Sequence, residues 1–539
     1  MNGEDDSEAD MNLIPPSTSQ IMSVEGLVLG RSVVNLSNQH PSPSCVIWLW
    51  KTYLENVDPV VKMLHIPTVQ PLIFDAASDT MKQLRPNKEA LLFSIYLIAI
   101  SSIPQCDRTE AERIMGQPIN TLIDVHTDLA QQALINARFL RTPNFITLQA
   151  LTLFLVAQRA KADPETFWQL TGVAVRSAQQ LGYHRERALT SPSVSVFQAE
   201  LCRRLWWELA HLESFAAKQC GVTSIMSSKA FWDTNRPLNI NDSDLHPEQT
   251  SIPKEALGIT EMSFCSARFE IGELTMTSAN PDKSSQDISQ VDAVIDDLQQ
   301  RLENRLFKYC DPSIPMHQML RMFGRGAAAR MKLTFRRRMM YAKSGLSLEE
   351  RDITFLLCLQ LAEAPNIFAK HKMMHKFLWQ ANAFFPLDAF MFLLGEICYR
   401  DCAEEPLPVP VETVWSEIEK AYESQPRLSH DKSNAIYSAV RNLTLKAWDK
   451  STHGRSVEQT VPHFIQSLRS KSSTSSAPEA VVHAASEFRI SENNTGTNSF
   501  DGSDFNFDPS WSKITIPNDP EFWEYWQQFI TEEPGLPIT

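Results

Sequence analysis

The sequence predicts an all-α fold: one large multi-helix domain between a flexible leader and an acidic, aromatic-rich tail. Three observations carry that expectation. From about residue 46 to 470, apolar residues recur every three to four positions, the repeat of a helix with one buried face. No alternation of apolar and polar residues survives for six positions between turn signals, so strands are not expected. Glycine is scarce, 17 of 539 residues against 32 prolines, which disfavours glycine-built phosphate loops and the many tight turns of an all-β fold.

Residues 1–45 read as the leader. They open with Glu4, Asp5, Asp6, Glu8 and Asp10 and no base, continue through Pro15-Pro16, and reach the serine- and proline-containing run 37–44. An acidic start matches neither a secretory signal nor a mitochondrial transit peptide. The dense apolar pattern begins at Val46-Ile47-Trp48-Leu49-Trp50. Phe145, Leu148, Leu151 and Leu155 lay an apolar stripe along one helix, and Leu201, Leu205, Leu209, Leu212 and Ala216 along another. Between them, Phe167, Leu170, Ala174, Ala178 and Leu181 mark a helix that Asp163-Pro164-Glu165 starts and Gly182 stops. Residues 219–257 are rich in turn formers, and 276–288 read as a surface loop.

A serine-rich linker opens the last segment, 471–539. From Ser486 to Thr539 there are ten acids, two bases and ten aromatic residues. Acids interleaved with aromatics are the compositional mark of a transcriptional activation segment. Asp519 and Pro520 can start a helix there, on which Phe522, Trp526, Phe529 and Ile530 form one stripe. Its two candidate resting places are a groove on a coactivator or the transcription machinery, and the chain's own helical domain.

Charge and chemistry exclude several classes. The net charge of −14 repels a polyphosphate backbone, so contact with DNA needs a local basic module. The best basic run, Arg325, Arg330, Lys332, Arg336, Arg337 and Arg338, is interrupted by apolar residues and reads as a solvated, ion-paired helix. Its arginine triplet is a weak import signal. The nine cysteines are scattered, never spaced Cys-x2-Cys, and suit a reducing compartment. No apolar run is long and unbroken enough for a membrane span, so the expectation is a soluble intracellular protein without membrane partners. There is no nucleophile elbow, phosphate loop or His-Glu-x-x-His motif. His371 and His375 share one expected helix face but lack a carboxylate ligand, and Lys370, Lys372 and Lys376 would repel a cation. Asp296-Asp297 and Asp242-Ser243-Asp244 are incomplete as the magnesium sites of a terpene-cyclase-like enzyme, the remote alternative. No catalytic, cofactor-binding, metal-binding or DNA-binding residue is therefore expected.

Several blocks agree with one family. They are Leu54-Glu55-Asn56-Val57-Asp58-Pro59, Leu64-His65-Ile66-Pro67-Thr68, Thr142-Pro143, Ala178 to Arg185, Ala199 to Trp207 with its Arg203-Arg204-Leu205-Trp206-Trp207 core, and Asp233 to Leu245. In this order they resemble the middle homology region of fungal binuclear zinc-cluster transcription factors. The resemblance implies an all-α regulatory domain over 46–470, a nuclear location and control of metabolic gene clusters, often those of secondary metabolism. That family carries an N-terminal six-cysteine zinc cluster, whereas only Cys45 precedes residue 50 here. The expectation is a chain without the zinc cofactor, acting through a DNA-bound zinc-cluster partner or with its metal module encoded upstream of Met1. An effector-binding or sequestering partner without activating function is the alternative. Arg203 and Arg204 sit one helical turn before Trp207, and two readings of them stand. The arginines clamp carboxylates while Trp206 and Trp207 are core anchors with satisfied N–H groups, or the four line a small-molecule effector pocket. The Asp233–Leu245 segment reads as a structural strap held by its Asn and Asp side chains.

Overall fold

A computed structural model describes residues 33–78, 84–141, 143–278, 288–340, 346–381, 386–400, 404–424, 428, 435–452 and 461–472. These residues form helices, 3-10 turns and irregular segments, with no β-strand among them. The expected tail stripe of Phe522, Trp526, Phe529 and Ile530 lies outside the described residues.

The first helices are α1 (Pro43–Asn56), α2 (Ile66–Ala76), α3 (Pro86–Ser101), α4 (Arg108–Met115) and α5 (Ile119–Asn136). They are followed by α6 (Phe145–Gln158), α7 (Pro164–Gln180), the single turn α8 (Glu186–Leu189) and α9 (Val196–Gln219). The abundance of proline finds its reason here. Prolines occupy the first turn of α1, α2, α3 and α7, where the missing N–H would have had no intrahelical partner. Asp163 caps α7 by accepting the N–H of Thr166 at 2.8 Å, and Gly182 ends it with a φ of +82°. Ser195 and Gln198 form a reciprocal capping box at the start of α9.

Helix α3 is the axis of the first core. Every residue from Glu89 to Ile100 is buried, because α1, α5 and α6 pack around it. Helix α6 departs from the expectation of a single stripe. Thr147 to Gln158 is buried throughout, the pattern of a helix enclosed on all sides; Thr152 donates to Leu148 O on its own helix at 2.7 Å, and Gln149 and Gln158 donate to Met63 O and Thr127 Oγ1 of neighbouring segments. The expected leader also loses its last part to the fold. Residues 33–42 lie against α3 and α5, with Asn136 Nδ2 donating to Val34 O at 2.7 Å, Leu36 buried and His40 against Phe93. Two prolines and a serine run suggested a free segment, but Leu36 and His40 are single anchors that no period announces.

After the irregular stretch 220–262 come α10 (Ser263–Ser278), α11 (Ile288–Arg305), α12 (Pro315–Met340) and α13 (Leu348–Lys370). Helix α10 reaches Ser278, so residues 276–278 of the expected loop are helical, and 279–287 lie outside the described residues. The remaining helices are α14 (Leu378–Ala381), α15 (Leu387–Tyr399), α16 (Val411–Ser424), α17 (Ala435–Thr452) and α18 (His463–Ser472). His371 and His375 do not share an α-helical face. Helix α13 ends at Lys370 and Lys372–Phe377 is a 3-10 segment, whose tighter repeat separates positions four apart.

The described residues hold two large hydrophobic cores, beside two small clusters around Leu189 and Ile240. The larger runs from Leu36 to Phe377, and the second gathers α13, α15, α16, α17 and α18 around Phe355, Phe390, Leu393 and Val440. Helix α12 belongs to both, with Met319 and Leu320 in the first and Ala329 and Leu333 in the second. No single described helix is long and apolar enough to cross a membrane.

Candidate functional site

The separate sequence blocks of the first core converge on one aspartate. Helix α1 ends where Val57 and Asp58 both turn their N–H groups back to Tyr53 O, at 2.9 and 3.0 Å. Pro59 has no N–H with which to continue, and the short turn that follows brings Lys62 back over Asp58. The chain then enters α2 through His65 and Ile66. From the opposite side comes the strap, whose Asp242 meets all of these residues. One oxygen, Oδ2, lies 2.8 Å from Lys62 Nζ and accepts the Ile66 N–H at 2.9 Å. His65 Nε2–H donates to Asp242 O at 3.0 Å. The other oxygen, Oδ1, accepts from Arg204 Nη1 at 2.7 Å.

Arg204 is completely buried on α9, and Arg203 lies beside it. Arg203 pairs with Glu186 at 2.5 Å and Glu200 at 3.5 Å, and Arg204 stands 3.7 Å from Glu200 as well. Glu200 also accepts the Leu238 N–H at 3.0 Å, and Glu186 accepts that of Asn235 at 2.9 Å. The arginines thus hold the strap and α8 against α9. Trp206 and Trp207 follow on the next turn of α9 and are fully buried. Trp207 donates its indole N–H to Asn235 O at 2.8 Å and meets Trp232 edge-on at 5.1 Å. The indole N–H of Trp206 has no partner among the described residues.

The strap itself is pinned by side chains. Asn239 Nδ2 donates to Ala256 O and Gly258 O at 3.2 and 2.9 Å, while its Oδ1 accepts from Thr260 and Ser263 at 2.8 and 3.1 Å. All four hydrogen-bonding positions of one buried amide are used, which leaves the loop a single shape.

Burial and charge compete in this network. Asp242 sits below the usual carboxylate range: burial opposes its ionisation, but Arg204 and Lys62 outweigh it. Burial likewise opposes the Lys62 ammonium, and Asp58 and Asp242 overcome it and raise its pKa. Asp58 goes the other way. Burial pushes it up to about 6 despite Lys62, because that one ammonium is shared with Asp242 and with Glu261 at 3.2 Å. Glu200 is raised by burial, against the pull of Arg204 and Arg203.

Beside the network lies a cavity of about 480 Å³. Asp58, Lys62, Asp242 and Glu261 form its charged wall, and Leu54, Ile66, Phe264, Met316 and Leu320 contribute apolar surface. Arg203, Arg204, Trp206 and Trp207 do not line it. The arginines stand behind Asp242 and the indoles belong to the core. The sequence pointed at the arginines but gave no prominence to Lys62; the signal available was its i, i+4 spacing from Asp58 across a proline.

Comparison with known proteins matches this part of the chain. The family model described as the fungal specific transcription factor domain matches residues 50–293. Residues 50–293 are thus similar to the fungal specific transcription factor domain. The matched region includes α1 from residue 50, α2 to α10, the strap and every charged member of the network. Relatives extend the likeness beyond it. The aurofusarin cluster transcription factor aurR2 of Gibberella zeae is 30% identical over 436 residues, covering 79% of this chain and 63% of that protein. The pyriculol/pyriculariol biosynthesis cluster transcription factor 1 of Pyricularia oryzae is 27% identical over 465 residues, covering 81% and 59%. The transcriptional regulator AacuB of Aspergillus aculeatus is 28% identical over 447 residues, covering 80% and 59%. The chain thus spans about six-tenths of the length of the curated relatives it matches.

Other sequence candidates are absorbed by structure around this domain. No group of three or more His, Cys, Asp or Glu among the described residues is arranged to hold a metal ion. Asp296 faces Lys332 at 2.6 Å, and Asp297 pairs with Arg301 on its own helix. In the basic run of α12, Arg330, Lys332 and Arg336 are ion-paired, as expected, but the run is not wholly solvated. Arg336 is only 1% exposed and binds Asp292 at 2.5 Å and Glu350 at 3.1 Å. A receptor could not reach Arg336 in the folded domain.

Proposed function

We propose that this protein regulates transcription of a fungal secondary-metabolite biosynthetic gene cluster, as an activator acting in the nucleus. One observation carries the reading: regulators named for such clusters match about four-fifths of this chain, well past the domain model. The helical region supplies the regulatory scaffold, and the acidic-aromatic segment 486–539 contacts a coactivator or the transcription machinery through Phe522, Trp526, Phe529 and Ile530. DNA is reached through a DNA-bound zinc-cluster protein, in keeping with the net charge of −14 and the pairing of the α12 bases. The test has two parts. Deleting the gene lowers transcripts of a contiguous biosynthetic cluster, and fusing residues 486–539 to an unrelated DNA-binding domain drives a reporter. An unchanged transcriptome removes the regulatory reading; a silent, well-expressed fusion removes activation alone. The cavity beside Asp242 favours a second reading, an effector-binding partner that sequesters a full-length relative without activating. Pull-down with such a relative at micromolar concentration distinguishes it, since absence of association discards sequestration.

A further inference from the structure

We infer that the cavity between the α1–α2 turn, the strap and the first turn of α12 binds a small apolar ring molecule that presents a hydroxyl or amine to Asp58, and that it rejects the corresponding carboxylate. Its volume of about 480 Å³ falls within the ordinary range of small-molecule sites, roughly 300–1,000 Å³. Apolar walls beside a few converging polar groups are the usual composition of such sites, and the polar groups here define what they accept.

Asp58 is 7% exposed and lines the cavity. Its Oδ2 takes a hydrogen bond from Lys62 at 2.8 Å. Its Oδ1 is buried and has no hydrogen-bond partner among the described residues. A buried acceptor without a donor is costly, and that cost is relieved by a ligand O–H or N–H. Lys62, by contrast, has nothing left to give. Its three ammonium hydrogens face three carboxylates, Asp58 and Asp242 at 2.8 Å and Glu261 at 3.2 Å. Arg204, behind the wall, is committed to Asp242 at 2.7 Å, so the wall sets three acids against the single lysine and lacks a free cation for an anionic ligand. A second donor is present in the lining. His317 Nδ1 accepts the Asp311 N–H at 2.9 Å, so the neutral ring carries its proton on Nε2. The wall therefore takes a donor at Asp58, offers only neutral donors, His317 and the lining hydroxyls, and repels a carboxylate.

The inference deepens the effector reading by giving the ligand a place and a chemistry, and binding is measured without any transcriptional readout. A silent reporter leaves it standing, and its own failure leaves cluster regulation standing. The full chain is titrated with three probes sharing one ring system: 2-naphthalenemethanol, 2-naphthylmethylamine and 2-naphthoate, followed by saturation-transfer NMR. The expected result is saturable binding of the alcohol, the amine or both, with naphthoate about ten- to hundredfold weaker, the discrimination of one charge-assisted buried hydrogen bond. The alcohol and amine arms distinguish a neutral from a cationic natural ligand. Asp58→Leu removes the acceptor and abolishes the preference over naphthoate. Met316→Trp fills the cavity from the half-exposed first turn of α12 and blocks all probes, and its folding is checked by circular dichroism. Three results overturn the inference: no binding at millimolar probe, naphthoate binding as well as the alcohol, or undiminished binding by a folded Met316→Trp chain.

Discussion

At the scale of single residues, Lys62 is the member whose loss leaves most behind. It is 2% exposed, and three carboxylates are arranged around it. Such a cluster adds little net stability over an apolar packing, yet removing one partner strands buried charge. Lys62→Met is expected to cost about 3–5 kcal/mol in urea unfolding; a cost below about 1 kcal/mol would show that the carboxylates are solvated. Asp58 gives a pH-dependent prediction. Its folded pKa of about 6 lies above the ordinary 3.8, so the folded state binds the extra proton between these values. Native stability from this group is present below pH 4 and lost as pH rises through 6. An asparagine at this position has no such loss, so the melting temperature of Asp58→Asn relative to wild type should climb between pH 4 and 7. The change corresponds to roughly 1–3 kcal/mol; a falling difference would mean that Lys62 dominates and the pKa is depressed. This chemistry was only half legible in the sequence. Arg203 and Arg204 stood out as clamps for carboxylates, but their chief partners are not sequence neighbours: Arg204 and Asp242 are 38 positions apart, and His65 and Asp242 are 177 apart. Spacing reports what lies on one helix, and only the fold reports what two segments share.

Elements were more legible than contacts, because helix periodicity and caps are local. Asp163, Pro164 and Gly182 mark α7 in the sequence and do so in the structure. Asp163→Ala is accordingly expected to lose about 0.5–2 kcal/mol by thermal unfolding, the usual worth of an N-cap. What periodicity hides is how tightly two elements approach. Gly272 on α10 faces α9 so closely that an added Cβ would lie 2.2 Å from His211 Nε2. That imidazole cannot retreat, since its nitrogens sit 3.0 Å from Trp207 O and 2.9 Å from Arg268 O. Burial and the nearby Arg268 also hold it neutral, at about 4. Gly272→Ala should therefore cost at least about 1–3 kcal/mol, as overpacking does, although alanine is the better helix former. A stabilised Gly272→Ala chain in the same melt would show that α9 and α10 slide apart freely. Enclosure is hidden in the same way. Helix α6 was read as one-sided because its leucines recur at helical spacing, but its threonines and glutamines are buried too. Thr152 bonds back to its own helix, and the glutamines find partners in the segments packed around it, so the sequence shows polar residues where the fold has no polar face.

At the scale of the molecule, the all-α class follows from the apolar repeat, but the division into two large cores does not, because both are built from the same residue types at the same repeat. The joint is α12, which contributes to each. Arg336 is the polar tie at that joint. It bonds Asp292 on α11 with both terminal nitrogens, at 2.8 and 2.5 Å, and Glu350 on α13 through Nε at 3.1 Å. Three helices thus meet on one guanidinium, which no lysine can reproduce because its single nitrogen lacks the planar fork. Asp292 and Glu350 keep some contact with water, their side chains being 22% and 28% exposed, so losing Arg336 does not strand them as losing Lys62 strands its partners. The consequence is local loosening in place of global unfolding. Arg336→Met is expected to speed amide exchange in the first turns of α13, around Glu350 to Thr354, by about ten- to a hundredfold, equivalent to roughly 1–3 kcal/mol of local opening. Exchange along α3, at the centre of the first core, should stay unchanged. Arg336→Lys should fall closer to methionine than to wild type. Equal acceleration in α3 and α13 would show instead that the two cores open as one unit and that α12 transmits any disturbance through its full length.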